Sequence, residues 1–149
     1  MALTTTPTYI KEPTSLQCGQ AVLAMLSDKS VREIIDITGT DRETTLKQMF
    51  EALKVCNITY KSNRIEITES TVLPPICILS LETLHCWHWS LYFKGKFYDP
   101  EYGVLDYFPP SKRRYYWEIS ENWKKLIKII KMYCLPLPED STLIFNRIM

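Results

Sequence analysis

Ten consecutive residues, Cys18 to Ser27, read Cys-Gly-Gln-Ala-Val-Leu-Ala-Met-Leu-Ser. The run is made of strong helix formers and is apolar nearly all round, so it reads as a helix buried on every side, with Cys18 in its first turn. Such a helix needs cover from several directions. Ser30 with Glu33 forms a capping-box pattern that opens a short helix, and Gly39 suits its left-handed end. Thr40 with Glu43 is a second candidate box. It precedes Leu46, Met49, Phe50 and Leu53, which recur at helical spacing. After residue 57 the period changes. Ile58–Lys61 and Arg64–Thr68 alternate weakly, Ile76–Leu81 is a short apolar run of the central-strand kind, and Trp87–Phe93 is rich in aromatics. Lys94-Gly95 reads as a tight turn, Lys96–Asp99 as the returning strand, and Val104–Phe108 as a further strand that Pro109-Pro110 ends. Helices followed by strands predict an α+β fold, with the Cys18 helix packed on an antiparallel sheet.

At 149 residues the chain has the length of one domain spanning 1–149 and can bury a core without a disulfide or metal staple. With 46% hydrophobic and 23% charged residues, intrinsic disorder is excluded. No apolar run approaches the length of a membrane-spanning helix. The first residues hold no basic segment followed by an apolar one, and the five cysteines are odd in number with no CxxC. The expectation is therefore reduced thiols and a cytoplasmic location. Net charge is only +1, but residues 112–132 hold seven Lys and Arg against two Asp and Glu.

Cys18 stands at the start of a helix, whose N-terminal field favours a thiolate. The two histidines are His85 and His88. If Lys94-Gly95 is a two-residue turn, Phe93 faces Lys96, Leu91 faces Tyr98 and Ser90 faces Asp99. His88 shares the face of Ser90, so Asp99 lies one diagonal step from His88, within reach of a hydrogen bond. A nucleophilic sulfur, an imidazole base and a carboxylate that orients the base are the parts of thiol-dependent acyl transfer. The plainer reading of each residue is a buried cysteine, a packed strand histidine and a turn-initiating aspartate.

Three stretches together resemble the papain-like cysteine peptidases of the bacteriocin-processing (double-glycine) type. They are the Cys18-Gly-Gln-Ala helix start, the Thr38-Gly-Thr connection, and the His88-Trp-Ser-Leu-Tyr-Phe-Lys-Gly-Lys-Phe-Tyr-Asp-Pro hairpin. The resemblance covers roughly residues 10–105. It implies a papain-like fold, with Cys18 as nucleophile, His88 as base and Asp99 as orienter. It also implies a peptide or protein substrate cleaved at a peptide or isopeptide bond, with no cofactor. The family carries a Gln about six residues before the Cys, whose amide completes the oxyanion hole; here that position is Glu12. A carboxylate there repels an oxyanion unless it is protonated. Glu12 and the neighbouring Gln17 are the two oxyanion-hole candidates, and Gly19, Trp87, Trp89 and Tyr102 are the cleft candidates.

His85-Cys86-Trp87-His88 invites a metal reading, but residue 85 points away from 86 and 88 on a strand, and two side chains do not make a closed zinc site. No metal is expected there. Residues 120–133 read as a basic amphipathic helix. Its apolar stripe would pack on the sheet, while its Lys face, helped by Lys112-Arg113-Arg114 beside Tyr115-Tyr116-Trp117, is a candidate surface for an anionic partner. The sequence thus supports a cysteine hydrolase, with an inactive papain-like binding module acting through its cleft and basic helix as the alternative.

Overall fold

The computed structural model describes residues 6–122. The expected basic helix over 120–133 and the C-terminal tail lie almost wholly outside the described residues. Three helices, α1 (Cys18–Ser27), α2 (Val31–Thr38) and α3 (Leu46–Val55), precede six strands: β1 (Ile65–Glu66), β2 (Ile76–Glu82), β3 (Trp87–Phe93), β4 (Lys96–Asp99), β5 (Gly103–Leu105) and β6 (Arg113–Glu118). The strands form one antiparallel sheet in the order β1-β6-β2-β3-β4-β5. The α+β architecture is as the change of period predicts. Among the described residues no helix is long and apolar enough to cross a membrane.

Every residue of α1 is buried. Val22, Leu23, Met25 and Leu26 meet Ile34 of α2, Met49 and Leu53 of α3, and Ile78, Leu91 and Phe93 on one face of the sheet. The opposite face carries a smaller cluster of Ile67, Cys77, Leu79, Leu81, Phe97 and Tyr116. β2 is therefore covered on both faces, which is why Ile76–Leu81 is a continuous apolar run rather than an alternating one. Cys18, Cys56 and Cys77 are buried free thiols and Cys86 is an exposed one.

Local chemistry sets the helix ends. Ser30 accepts the Glu33 N–H at the start of α2, and Gly39 ends it at φ 75°. The second capping box is Thr45 with Gln48, not Thr40 with Glu43. Residues 40–44 are engaged otherwise, because the buried amides of Gln17 and Gln20 bind the carbonyls of Asp41 and of Thr40 and Arg42. That loop is clamped against the start of α1 and cannot begin a helix there.

Other strand expectations change as well. Residues 58–61 contribute only a bridge from Tyr60 to Ile119, and β5 stops at Leu105. Within the basic-aromatic stretch, residues 113–118 form β6, an inner strand of the sheet between β1 and β2 that leaves Arg113 exposed and buries Tyr116 and Trp117. Arg113 is paired with Glu82, and the Arg114 guanidinium lies 4.1 Å from the centre of the Phe108 ring. Arg113 and Arg114 thus have intramolecular partners, whereas Lys112 is exposed and the lysines of the expected basic helix lie outside the described residues.

Leu23→Ala, at a fully buried site, should lower unfolding free energy by about 2–5 kcal/mol, and Thr45→Ala by about 1 kcal/mol. Chemical denaturation of the two variants checks both values and their order.

Candidate functional site

The β3–β4 hairpin forms in the expected register, with Leu91 opposite Tyr98, Tyr92 opposite Phe97 and Phe93 opposite Lys96. His88 Nε2 lies 2.9 and 3.1 Å from the two carboxylate oxygens of Asp99. Asp99 is fully buried and His88 is 4% exposed. Asp99 Oδ1 also accepts the N–H groups of Glu101 and Tyr102, so one carboxylate both initiates the turn and fixes the imidazole.

Pleating puts Trp89, Leu91 and Phe93 towards the helices and His88, Ser90 and Tyr92 on the other face. Cys18 nevertheless reaches His88, because β4 pairs with β3 only over Leu91–Phe93 and leaves the Trp89 edge uncovered. The start of α1 enters that gap. The Trp89 N–H, which lies in the plane of the sheet, donates to Cys18 Sγ at 3.4 Å. The sulfur therefore sits at the strand edge, and a nitrogen of the His88 ring lies within 4.8 Å of it. Asp99 holds Nε2, which leaves Nδ1 as the ring nitrogen with no bond to the carboxylate.

Burial alone would push the His88 imidazole down. The hydrogen bond to Asp99, the contact with Cys18 and the negative charge of Asp99 outweigh it and push the imidazole up to about 10. For Asp99, burial raises the carboxyl, but the His88 bond and charge and the two turn N–H groups win and hold it below the ordinary range. The pair is poised as imidazolium and carboxylate at neutral pH.

Glu12 enters from an N-terminal segment that crosses the β4 end. The Tyr9 hydroxyl donates to the Asp99 carbonyl at 2.6 Å, and the Glu12 N–H to the Pro100 carbonyl at 3.0 Å. This places a Glu12 carboxylate oxygen, Cys18 Sγ and a His88 nitrogen within 4.8 Å of one another. Burial raises the Glu12 carboxyl, the positive His88 opposes that, and Glu101 and Asp99 add to it. Its Oε2 is buried without a hydrogen-bond partner among the described residues. Gln17 is turned elsewhere, its amide donating to the Asp41 carbonyl at 3.0 Å.

Glu12, Cys18 and His88 line an open cleft of about 1210 Å³. Trp87, Trp89 and Tyr102 line it as expected, whereas Gly19 packs beneath Thr44 instead. Sequence reasoning missed Thr44, Arg64, Tyr115 and Trp117 as lining residues; β6, which carries the last two, had been read as surface. The N–H groups at the start of α1 receive no side-chain cap, so they remain available near the sulfur as donors to a developing oxyanion. His85 and Cys86 are exposed in the β2–β3 loop, away from a shared metal-ligand arrangement with His88. No protein-family model matches the chain, and no curated protein matches it.

A Cβ at Gly19 would lie 1.8 Å from Thr44 Oγ1 and 3.1 Å from Trp89 Cδ1. These two neighbours are tied together by the Trp89 Nε1 bond to the Thr44 carbonyl. Alanine in a helix is ordinarily favoured over glycine by about 1 kcal/mol, but overpacking here, at about 1–3 kcal/mol, should reverse the sign. Gly19→Ala is expected to shift the denaturation midpoint downwards.

The raised imidazole contributes stability that is complete below its unfolded value of about 6.5 and is lost as pH rises through about 10. The lowered Asp99 contributes stability that is present above its unfolded value of about 3.9 and is lost as pH falls through its folded value. The stability gap between wild type and Asp99→Asn should therefore be widest at about pH 4–6.5 and shrink towards pH 10. Denaturant titrations across that range measure it.

Proposed function

We propose that the chain is a papain-like, thiol-dependent hydrolase, a cysteine peptidase that cleaves a peptide or isopeptide bond through an acyl-enzyme. The observation that carries this reading is the imidazole of His88, bound to Asp99 through one nitrogen and lying within 4.8 Å of Cys18 Sγ in an open cleft. An imidazolium beside a sulfur is the partner a nucleophilic thiolate requires.

In this mechanism Cys18 Sγ attacks the carbonyl carbon of the scissile bond. The oxyanion is met by main-chain N–H groups at the uncapped start of α1, the Cys18 amide first among them. His88 passes its Nδ1 proton to the leaving amine and then accepts one from the water that hydrolyses the thioester. Asp99 keeps the ring in the tautomer that this exchange needs. The cleft, with Trp87, Trp89 and Tyr102 on its walls, supports an extended peptide as substrate.

Glu12 favours a second reading. Its carboxylate stands beside the sulfur, where the resemblance calls for a neutral amide, and as an anion it opposes an oxyanion. The second reading is a binding module that keeps the cleft and has lost turnover.

Iodoacetamide labelling tests the first reading with an internal control, since Cys86 is exposed and Cys18 is only 7% exposed. An activated Cys18 should react faster than Cys86 despite its burial. Labelling of Cys86 first, with Cys18 as slow as buried Cys56, would sink the hydrolase reading. On a peptide library, Cys18→Ala should lower kcat/KM by about 10³-fold or more. Glu12→Gln should raise it by roughly tenfold. A wild type and a Glu12→Gln variant that both bind peptide without cleaving it would establish the binding module instead.

A further inference from the structure

We propose that Glu12, Cys18 and His88 form a site for a single divalent cation of the Zn²⁺ class, with an open position facing the cleft. The ligand atoms of the three side chains, a carboxylate oxygen, a thiol sulfur and an imidazole nitrogen, already lie within 4.8 Å of one another. Tetrahedral zinc with bonds of about 2.0–2.3 Å brings such atoms to roughly 3.3–3.8 Å. Closure by at most about 1–1.5 Å is thus enough.

The donor set chooses the metal. Sulfur with nitrogen selects zinc or cobalt over magnesium and calcium, which take oxygen shells. Three protein ligands with a fourth position open to solvent is the arrangement of an accessible zinc site rather than a sealed structural one. The supporting shell is also built. Asp99 accepts from His88 Nε2 and is itself held by two backbone N–H groups, which fixes the tautomer with Nδ1 free to ligate. The Trp89 N–H supports the sulfur, and the Glu12 backbone is anchored to the Pro100 carbonyl in the same turn.

Charge points the same way. The carboxyl groups of Glu12 and Asp99 outnumber the one imidazole, and Glu101 adds to the negative field at Glu12, with Lys11 opposing it. The Glu12 Oε2 is buried without a hydrogen-bond partner among the described residues, so its lone pairs are available to a cation. Binding releases the Nδ1 proton of the imidazolium and the thiol proton wherever the sulfur is protonated. The site needs only the three donors and goes beyond the hydrolase reading. Where both hold, metal and substrate compete for the same sulfur, and the cation is a reversible inhibitor.

Titration of Co²⁺ alone into the purified full chain tests the site. The expected result is one equivalent bound, with a thiolate-to-cobalt charge-transfer band that Zn²⁺ abolishes. Cys18→Ser should remove the band. Glu12→Gln, which keeps shape and loses the anionic ligand, should weaken binding by about 10–100-fold. The Zn²⁺-induced rise in melting temperature should be smaller in Glu12→Gln than in wild type, a comparison made within each folded protein. A missing band, a band that survives Cys18→Ser, or affinity indifferent to Glu12 overturns the proposal. Peptide hydrolysis by the metal-free protein, measured apart from the titration, reports on the enzyme: no hydrolysis in chelator with the band present in the titration rejects only the hydrolase reading, and hydrolysis in chelator with no band rejects only the metal site.

Discussion

The structure depends on a helix that has no side fit for water. Because α1 is buried along its whole length, α2, α3 and the sheet must close around it. Its first turn can then emerge only at the margin of that cover. The margin is set where β4 leaves β3, and Cys18 meets the unpaired Trp89 N–H at that gap. Core packing and site geometry are thus one constraint. The clamp of Gln17 and Gln20 on the 40–44 loop and the close seat of Gly19 under Thr44 hold the same turn in place.

Asp99 concentrates the polar side of the arrangement. Its carboxylate takes the His88 ring and two turn amides, while its backbone carbonyl takes the Tyr9 hydroxyl. Charge buried this deeply is tolerable because it is paired and fully hydrogen-bonded. The same bonds make the imidazole rigid. Glu12 is the group that does not fit a simple nucleophile-and-base arrangement, and its orphaned oxygen is what both the inactive reading and the metal proposal draw on.

Much of this was legible in the chain. The all-apolar run gave the buried helix, and counting across the Lys94-Gly95 turn placed Asp99 on the face of His88, because strand alternation leaves no freedom once a two-residue turn is granted. What escaped notice was non-local. β6 reads as a basic patch because the partner of Arg113, Glu82, lies 31 positions away in sequence. The helix cap moved from Thr40 to Thr45 because buried amides at positions 17 and 20 hold the intervening carbonyls. Tyr9 carries no local signal at all, since its partner is 90 positions away.

That last separation bears on when the sulfur meets its partners as the chain is made. The strap of residues 9–12 has nothing to fasten to until the Asp99-Pro100 turn exists, and the imidazole arrives 70 positions after the thiol. Contacts so distant along the chain form late in folding. A ribosome-bound fragment ending before that turn can carry the helix and its thiol, yet it lacks the groups that orient them. Assembly order alone therefore delays the meeting of the thiol with the imidazole and the carboxylates.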